Sequence, residues 1–146
     1  MSEQLSHSKY DIIELKREHV DEIVRIIRKN LDPFEDAGSV LAATFRRLNR
    51  FYDVYHEEGA CYWLVTESDS GKIIGGAGLG SFAGLNPAEK IGEIRELVIE
   101  PEYRGQGAGR MILRHTIDYA LNFGYRRIYL ETTPQMEHAQ KLFTSF

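Results

Sequence analysis

One cysteine occurs in the 146 residues, Cys61, so no disulfide can close within the chain. That suits a reducing compartment, and a cytoplasmic location is expected. Cys61 lies in an apolar strand pattern and is expected to be buried and inert. Apolar runs are short. None approaches the ~18–20 residues that cross a bilayer, so no membrane association is expected. Residues 1–9 are polar, with Ser2, Ser6 and Ser8, and hold no apolar stretch of the kind a secretory signal needs. They are read as a loose tail before one domain over residues 10–146, a length that buries a real core. Positive charge is not in excess. The formal net charge of −4 argues against nucleic acid as a partner. The five histidines show no ligand spacing, so no metal site is expected. Repeats and low-complexity tracts are lacking too.

What is present is a regular alternation of elements. Residues 10–15 read as a strand. Val20, Ile23, Val24, Ile27 and Leu31 recur at helical spacing and predict a helix over 18–30, ended by Asp32-Pro33. Leu41, Phe45, Leu48, Tyr52 and Tyr55 predict a second amphipathic helix stopping near Gly59. The stripe Phe45, Tyr52, Tyr55 is read as core packing in preference to a substrate cage. Residues 60–66 and 72–79 read as strands joined by the turn Ser68-Asp69-Ser70-Gly71. Gly75, Gly76, Gly78 and Gly80 weaken the second of these as a strand and imply close backbone approach or bulges. Residues 91–99 form the next strand. A helix then runs to Phe123 and stops at Gly124. Residues 125–132 read as a strand, Pro134 breaks the chain, and 135–145 read as a last helix. The order is β-α-α-β-β-β-α-β-α.

The most specific local signal is Arg104-Gly105-Gln106-Gly107-Ala108-Gly109-Arg110, between the 91–99 strand and the long helix. Glycines entering a helix present backbone N–H groups at the positive end of the helix dipole, which is a phosphate site. A Walker A loop would end Gly-Lys-Ser/Thr, whereas this one continues Gly109-Arg110-Met111. A dinucleotide fingerprint would place Gly or Ala where Arg110 or Ile112 stands. The pattern that fits is R/Q-x-x-G-x-G/A, at Arg104, Gly107 and Gly109. A ligand-free glycine-rich helix start is the plainer alternative. Between residues 101 and 130 five arginines face two acidic residues, a local excess that suits a polyphosphate ligand such as coenzyme A. For Arg114 and Arg126 a solvated helix face is the preferred reading.

With these residues the chain resembles the GNAT superfamily of acetyl-CoA-dependent N-acetyltransferases. The resemblance is carried by Ile99-x-Pro101-x-Tyr103-Arg104-Gly105-x-Gly107-x-Gly109, then Ala120-x-x-x-Gly124-Tyr125, Ile128-Tyr129-Leu130-Glu131-Thr132 and Ala139-x-x-Leu142-Phe143. It implies an α/β fold: a mixed central β-sheet with helices on both faces. It also implies acetyl-CoA as co-substrate, without a metal. Main-chain groups of Leu97, Val98 and Ile99 would hold the pantetheine arm and polarise the thioester. Residues Arg104, Gly105, Gln106, Gly107, Ala108, Gly109 and Arg110 would hold the pyrophosphate. The acceptor implied is a small primary amine, attacking directly in a ternary complex. A peptide acceptor and a catalytically idle acyl-CoA-binding domain are the alternatives.

A base is needed because an alkylammonium at neutral pH is not nucleophilic, and a positioned carboxylate typically contributes about 10²–10⁴-fold. Glu93, Arg95 and Glu96 charge the first half of the 91–99 strand, and charges in a covered strand must be paired or line a cleft. The resemblance puts Glu93 on the family's general base. The bland alternative for Glu93 is a surface pair with Arg95. Glu131 is the second candidate base. Glu96 points away from Glu93 by simple alternation, but a bulge would change that parity, so Glu96 stands as a third candidate. Phe143 replaces the tyrosine that often protonates the departing thiolate, and Met136 replaces a frequent coenzyme A-binding asparagine. The chain ends at Phe146, where the family usually continues with a closing pair of strands. The sheet edge there is expected to be exposed or completed by a second subunit in a homodimer.

Overall fold

The fold was described from a computed structural model, and the description covers residues 9–31, 39–82 and 85–130. Five strands form one sheet in the order β1-β2-β3-β4-β5 among these residues. They are β1 (Tyr10–Glu14), β2 (Cys61–Glu67), β3 (Ile73–Ser81), β4 (Ile91–Ile99) and β5 (Arg127–Leu130). The first four run antiparallel as a meander, and β5 joins β4 in parallel after a helical crossover. Helices α1 (Val20–Leu31), α2 (Ser39–Leu48) and α3 (Phe51–Val54) precede β2, and α4 (Ala108–Phe123) connects β4 to β5. None of the helices among the described residues is long and apolar enough to cross a membrane. The predicted tail and the predicted last helix lie outside the described residues.

Strand alternation divides the apolar residues between two faces. In β2, Cys61, Trp63 and Val65 pack with Ile112, Leu113 and Ala120 of α4, while Tyr62 and Leu64 pack with Ile23, Ile26 and Ile27 of α1 and with Phe51 and Tyr55. Two cores therefore sandwich one sheet, as an α/β layer architecture requires.

The glycines of β3 explain themselves on the α1 face. A Cβ on Gly76 would sit 2.5 Å from the Tyr62 ring, one on Gly78 2.6 Å from the Tyr55 ring, and one on Gly80 1.6 Å from Arg95 Nη2. These glycines leave a trough in which two tyrosines and an arginine lie across the strand.

The predicted second helix is broken. The chain turns at Asn49 and Arg50, where Arg50 N–H reaches Arg47 O at 3.0 Å, and α3 starts afresh. The break resets the helical phase, so Phe51 is buried and Tyr52 is only half-buried. Phe51 packs edge-on between Tyr55 and Tyr62, with ring centroids 4.9 Å from each. Burying the all-carbon ring and leaving the Tyr52 hydroxyl near water accounts for the choice.

Candidate active site

The glycine loop opens α4. Gly105 and Gly107 have φ of 76° and 92°, the left-handed region that glycine adopts without strain. The first bond of the helix runs from Met111 N–H to Gly107 O at 3.0 Å. The amides from Gly105 to Gly109 precede it and meet no acceptor among the described residues. They are the donors a helix N-terminus leaves for a ligand. Beside them opens a cleft of about 450 Å³ lined by Gly107, Arg110, Met111 and Arg114. Arg110 and Arg114 stand four residues apart, one turn of helix, and so flank the same cleft.

Side chains of the loop hold it to the body. Arg104 donates from Nε to Ile99 O at 2.8 Å and from Nη2 to Asn30 Oδ1 at 3.0 Å. Gln106 accepts from the Tyr10 hydroxyl at 2.7 Å. The loop is thereby pinned to the end of β4.

β4 carries a bulge. Gly78 pairs with Arg95 and Gly76 with Val98, so two residues, Glu96 and Leu97, oppose the single Ala77. Glu96 takes φ of 47°, uncommon for a residue with a side chain. Three partners hold it there. Arg47 of α2 grips the carboxylate through Nη2 at 2.5 Å and Nε at 3.0 Å, the Tyr55 hydroxyl donates to the same carboxylate, and Tyr62 donates to the Glu96 carbonyl at 2.7 Å. Burial, and next the Glu96 charge, push both the Tyr55 and Tyr62 hydroxyls well above the usual phenol range, so both remain protonated donors.

The bulge reverses the parity of the strand. Glu93 and Arg95 face α1–α3, and Glu96 joins them on that face. Beyond it, pairing of β4 with β5 is described as far as Ile94 and Leu130. Glu100 N–H turns to Ile74 O on β3 at 2.8 Å, whereas Ile99 O accepts from Arg104. Successive residues point their polar groups to opposite edges, so Leu97 and Ile99 present theirs to the edge away from β3, where no pairing is described beyond Ile94. The Glu93 and Arg95 side chains are 15% and 12% exposed and 3.6 Å apart.

Residues 23–146 match the Acetyltransferase (GNAT) family. The chain belongs to the GNAT family. It is 30% identical over 124 residues to the uncharacterized N-acetyltransferase YjgM of Escherichia coli (strain K12), an alignment covering 83% of this chain and 71% of that one. A GNAT-family acetyltransferase structure from Staphylococcus aureus superposes with a TM-score of 0.75 at 19% identity, covering 93% of this chain and 82% of that one. A predicted acetyltransferase from Clostridium acetobutylicum, solved with acetyl-CoA, superposes with a TM-score of 0.69 at 17% identity over 92% and 88% of the two chains. The mixed sheet with helices on both faces is the GNAT fold, and the protein is an acyltransferase. GNAT enzymes use acetyl-CoA as co-substrate and bind an acceptor beside it.

On this GNAT scaffold the anticipated residues fall into two groups. Glu93, Leu97, Val98, Ile99 and residues 104–110 lie on one strand and the loop pinned to its end. Glu131, Met136 and Phe143 lie outside the described residues. Glu93 does pair with Arg95, as the bland alternative held, but the pair is largely buried instead of exposed. Arg114, read from sequence as solvated, lines the cleft with Arg110. The residues that sequence reasoning missed are Arg47, the half-buried partner of Glu96, and the buried Thr44, whose Oγ1 accepts from Arg47 Nη2 at 3.3 Å. Their only sequence trace is polarity on the inward stripe of a helix.

Proposed function

We propose that this chain transfers the acetyl group of acetyl-CoA to a primary amine of a small molecule, by direct attack within a ternary complex. The observation that carries the reading is the bulge at Glu96. It turns the polar groups of Leu97 and Ile99 to the strand edge away from β3, beyond the described pairing with β5, and the glycine-loop amides are pinned to the end of the same strand by Arg104. The pyrophosphate would lie on the amides of Gly105 to Gly109 between Arg110 and Arg114. The pantetheine arm would run along β4, and one strand amide near Val98 would stabilise the oxyanion. Glu93, on β4 just before the bulge, would take the ammonium proton, and water would protonate the departing thiolate. Glu131 is the other base this reading admits.

The test is thermal unfolding with acetyl-CoA, with NAD and ATP as controls, followed by acetylation of a small-amine panel. Ligand at 100 times Kd adds about 2.7 kcal/mol, roughly 5–10 °C for a domain of this size. Stabilisation by acetyl-CoA alone with amine-dependent CoA release supports the reading. A folded protein that acetyl-CoA does not stabilise refutes it.

A further inference from the structure

Arg95 is the polar group this site leaves unsatisfied. Its side chain is 12% exposed, its Nε is buried without a hydrogen-bond partner, and its guanidinium makes no hydrogen bond among the described residues. It lies 5.6 Å over the Tyr55 ring, and Gly80 makes the room for it. Its one carboxylate neighbour among the described residues, Glu93, stands at 3.6 Å, beyond hydrogen-bonding distance. The same face supplies a control. Arg47 and Glu96 are joined there by a fork of contacts at 2.5–3.1 Å, which is how this fold builds a structural ion pair. A guanidinium taken that far out of water without donating is costly unless something else accepts from it.

Glu93 and Arg95 are two residues apart on β4 and share a face. Tyr129 of β5 pairs in register with Glu93 and stands 46% exposed beside it, with Phe82 against its ring at 4.8 Å. Carboxylate, guanidinium and an aromatic ring thus share one face of the sheet.

We infer that the acetyl acceptor is an amine that also carries an anionic group close to the nitrogen, as an amino acid does, and that Arg95 is the specificity-determining residue that binds this anion. This rests on the acetyl-transfer reading above. A plain alkylammonium gains from Glu93 but is repelled by Arg95. A zwitterion matches both, ammonium to Glu93 and anion to the planar guanidinium fork. The match persists through the reaction. Glu93 takes one ammonium proton and becomes neutral, and the nitrogen lone pair forms the N–C bond at the thioester carbonyl. The C–S bond breaks with its electron pair on sulfur, and the thiolate is protonated from water as the nitrogen gives up its second proton. The acceptor anion stays on Arg95 throughout. The products are the N-acetylated acid, free coenzyme A and one proton.

The experiment measures CoA release by the full chain with matched acceptors: alanine against ethylamine, and phosphoethanolamine against ethanolamine. The anionic member of at least one pair is expected to have the higher kcat/KM by about 10–100-fold, the worth of hydrogen bonds to a charged group. The two pairs separate carboxylate from phosphate. Arg95→Met should collapse that ratio toward one. Arg95→Lys, which keeps the charge and loses the fork, should fall between and carries the test if Arg95→Met does not fold. Equal or better use of ethylamine and ethanolamine overturns the inference, as does a preference that survives Arg95→Met. So does stabilisation by acetyl-CoA with turnover of neither series. Loss of acetyl-CoA stabilisation in the unmutated protein would instead defeat the acetyl-transfer reading itself.

Discussion

Arg47→Ala is the most informative single substitution in this fold. It leaves the Glu96 carboxylate, with a side chain 0% exposed, holding only the Tyr55 hydroxyl as a donor. Removing one partner of a buried ion pair costs about 3–5 kcal/mol, because the other charge stays buried and uncompensated. A domain has only about 5–15 kcal/mol in total. At roughly 3–5 °C per kcal/mol for this size, the midpoint should fall by roughly 10–20 °C. Glu96→Gln should cost less, since Arg47 is 13% exposed and can swing toward water. The double variant should then be less damaged than the sum, with a coupling of about 2 kcal/mol or more in a urea-denaturation cycle. A loss below about 1 kcal/mol for Arg47→Ala, the value of an exposed pair, with no coupling, would refute the claim that this pair holds the bulge.

Three further outcomes are expected. Glu93→Gln should lower kcat by about 10²–10⁴-fold while leaving acetyl-CoA stabilisation intact in thermal unfolding; undiminished turnover would hand the role to Glu131. The Cys61 thiol, pushed up to about 12 first by burial and then by the Glu14 charge, should resist a thiol reagent at pH 8 in the native protein and react only as the chain unfolds. His115 packs against Trp63 with its Nε2 buried and unbonded, and burial holds its pKa below the ordinary 6.5. The unfolded chain therefore binds the proton more readily. The stability due to neutral His115 is present above pH 6.5 and is lost as pH falls below it. His115→Phe should flatten the pH dependence of the midpoint between pH 7 and pH 5, and an unchanged slope would dismiss the assignment.

The sheet and its helices were legible because their signals are local: β4 begins and ends where alternation and flanking turns put it, at Ile91 and Ile99. The glycine loop was legible because only glycine suits the left-handed φ at Gly105 and Gly107. The glycines of β3 announced close approach, but not what approaches; that Tyr55, Tyr62 and Arg95 fill the trough depends on contacts distant in sequence. The break after Leu48 was hidden because Phe51, Tyr52 and Tyr55 are all large rings, and periodicity alone cannot choose between Phe51 and Tyr52. Arg47 was hidden because a cation at an inward helical position reads as an error until its partner is known.

The bulge itself has a sequence cause. In a flat strand Glu93 and Arg95 share one face, while Glu96 and Glu100 share the other. One of the two sets would then face α4, whose core is apolar. Burying an unpaired carboxylate there costs several kcal/mol, more than the ~1–3 kcal/mol of a left-handed backbone at one residue. The bulge resolves the conflict. All four charges come to the α1–α3 face, where Arg47 takes Glu96, and Lys29 and Asn30 take Glu100 at 3.0 and 3.1 Å. Leu97, Val98 and Ile99 are apolar and tolerate either face. Deleting Glu96 together with Arg47→Met should therefore leave a flat strand with every remaining residue on its present face. That variant should fold cooperatively and lose little stability. Straightening β4 should shift the glycine loop at its end relative to Glu93 and the strand edge proposed for the pantetheine arm, so acetyl-CoA should bind at least tenfold more weakly, ~1.4 kcal/mol. A folded deletion variant that keeps both acetyl-CoA affinity and turnover would show that the bulge serves only to place charge, and that the cofactor lies elsewhere.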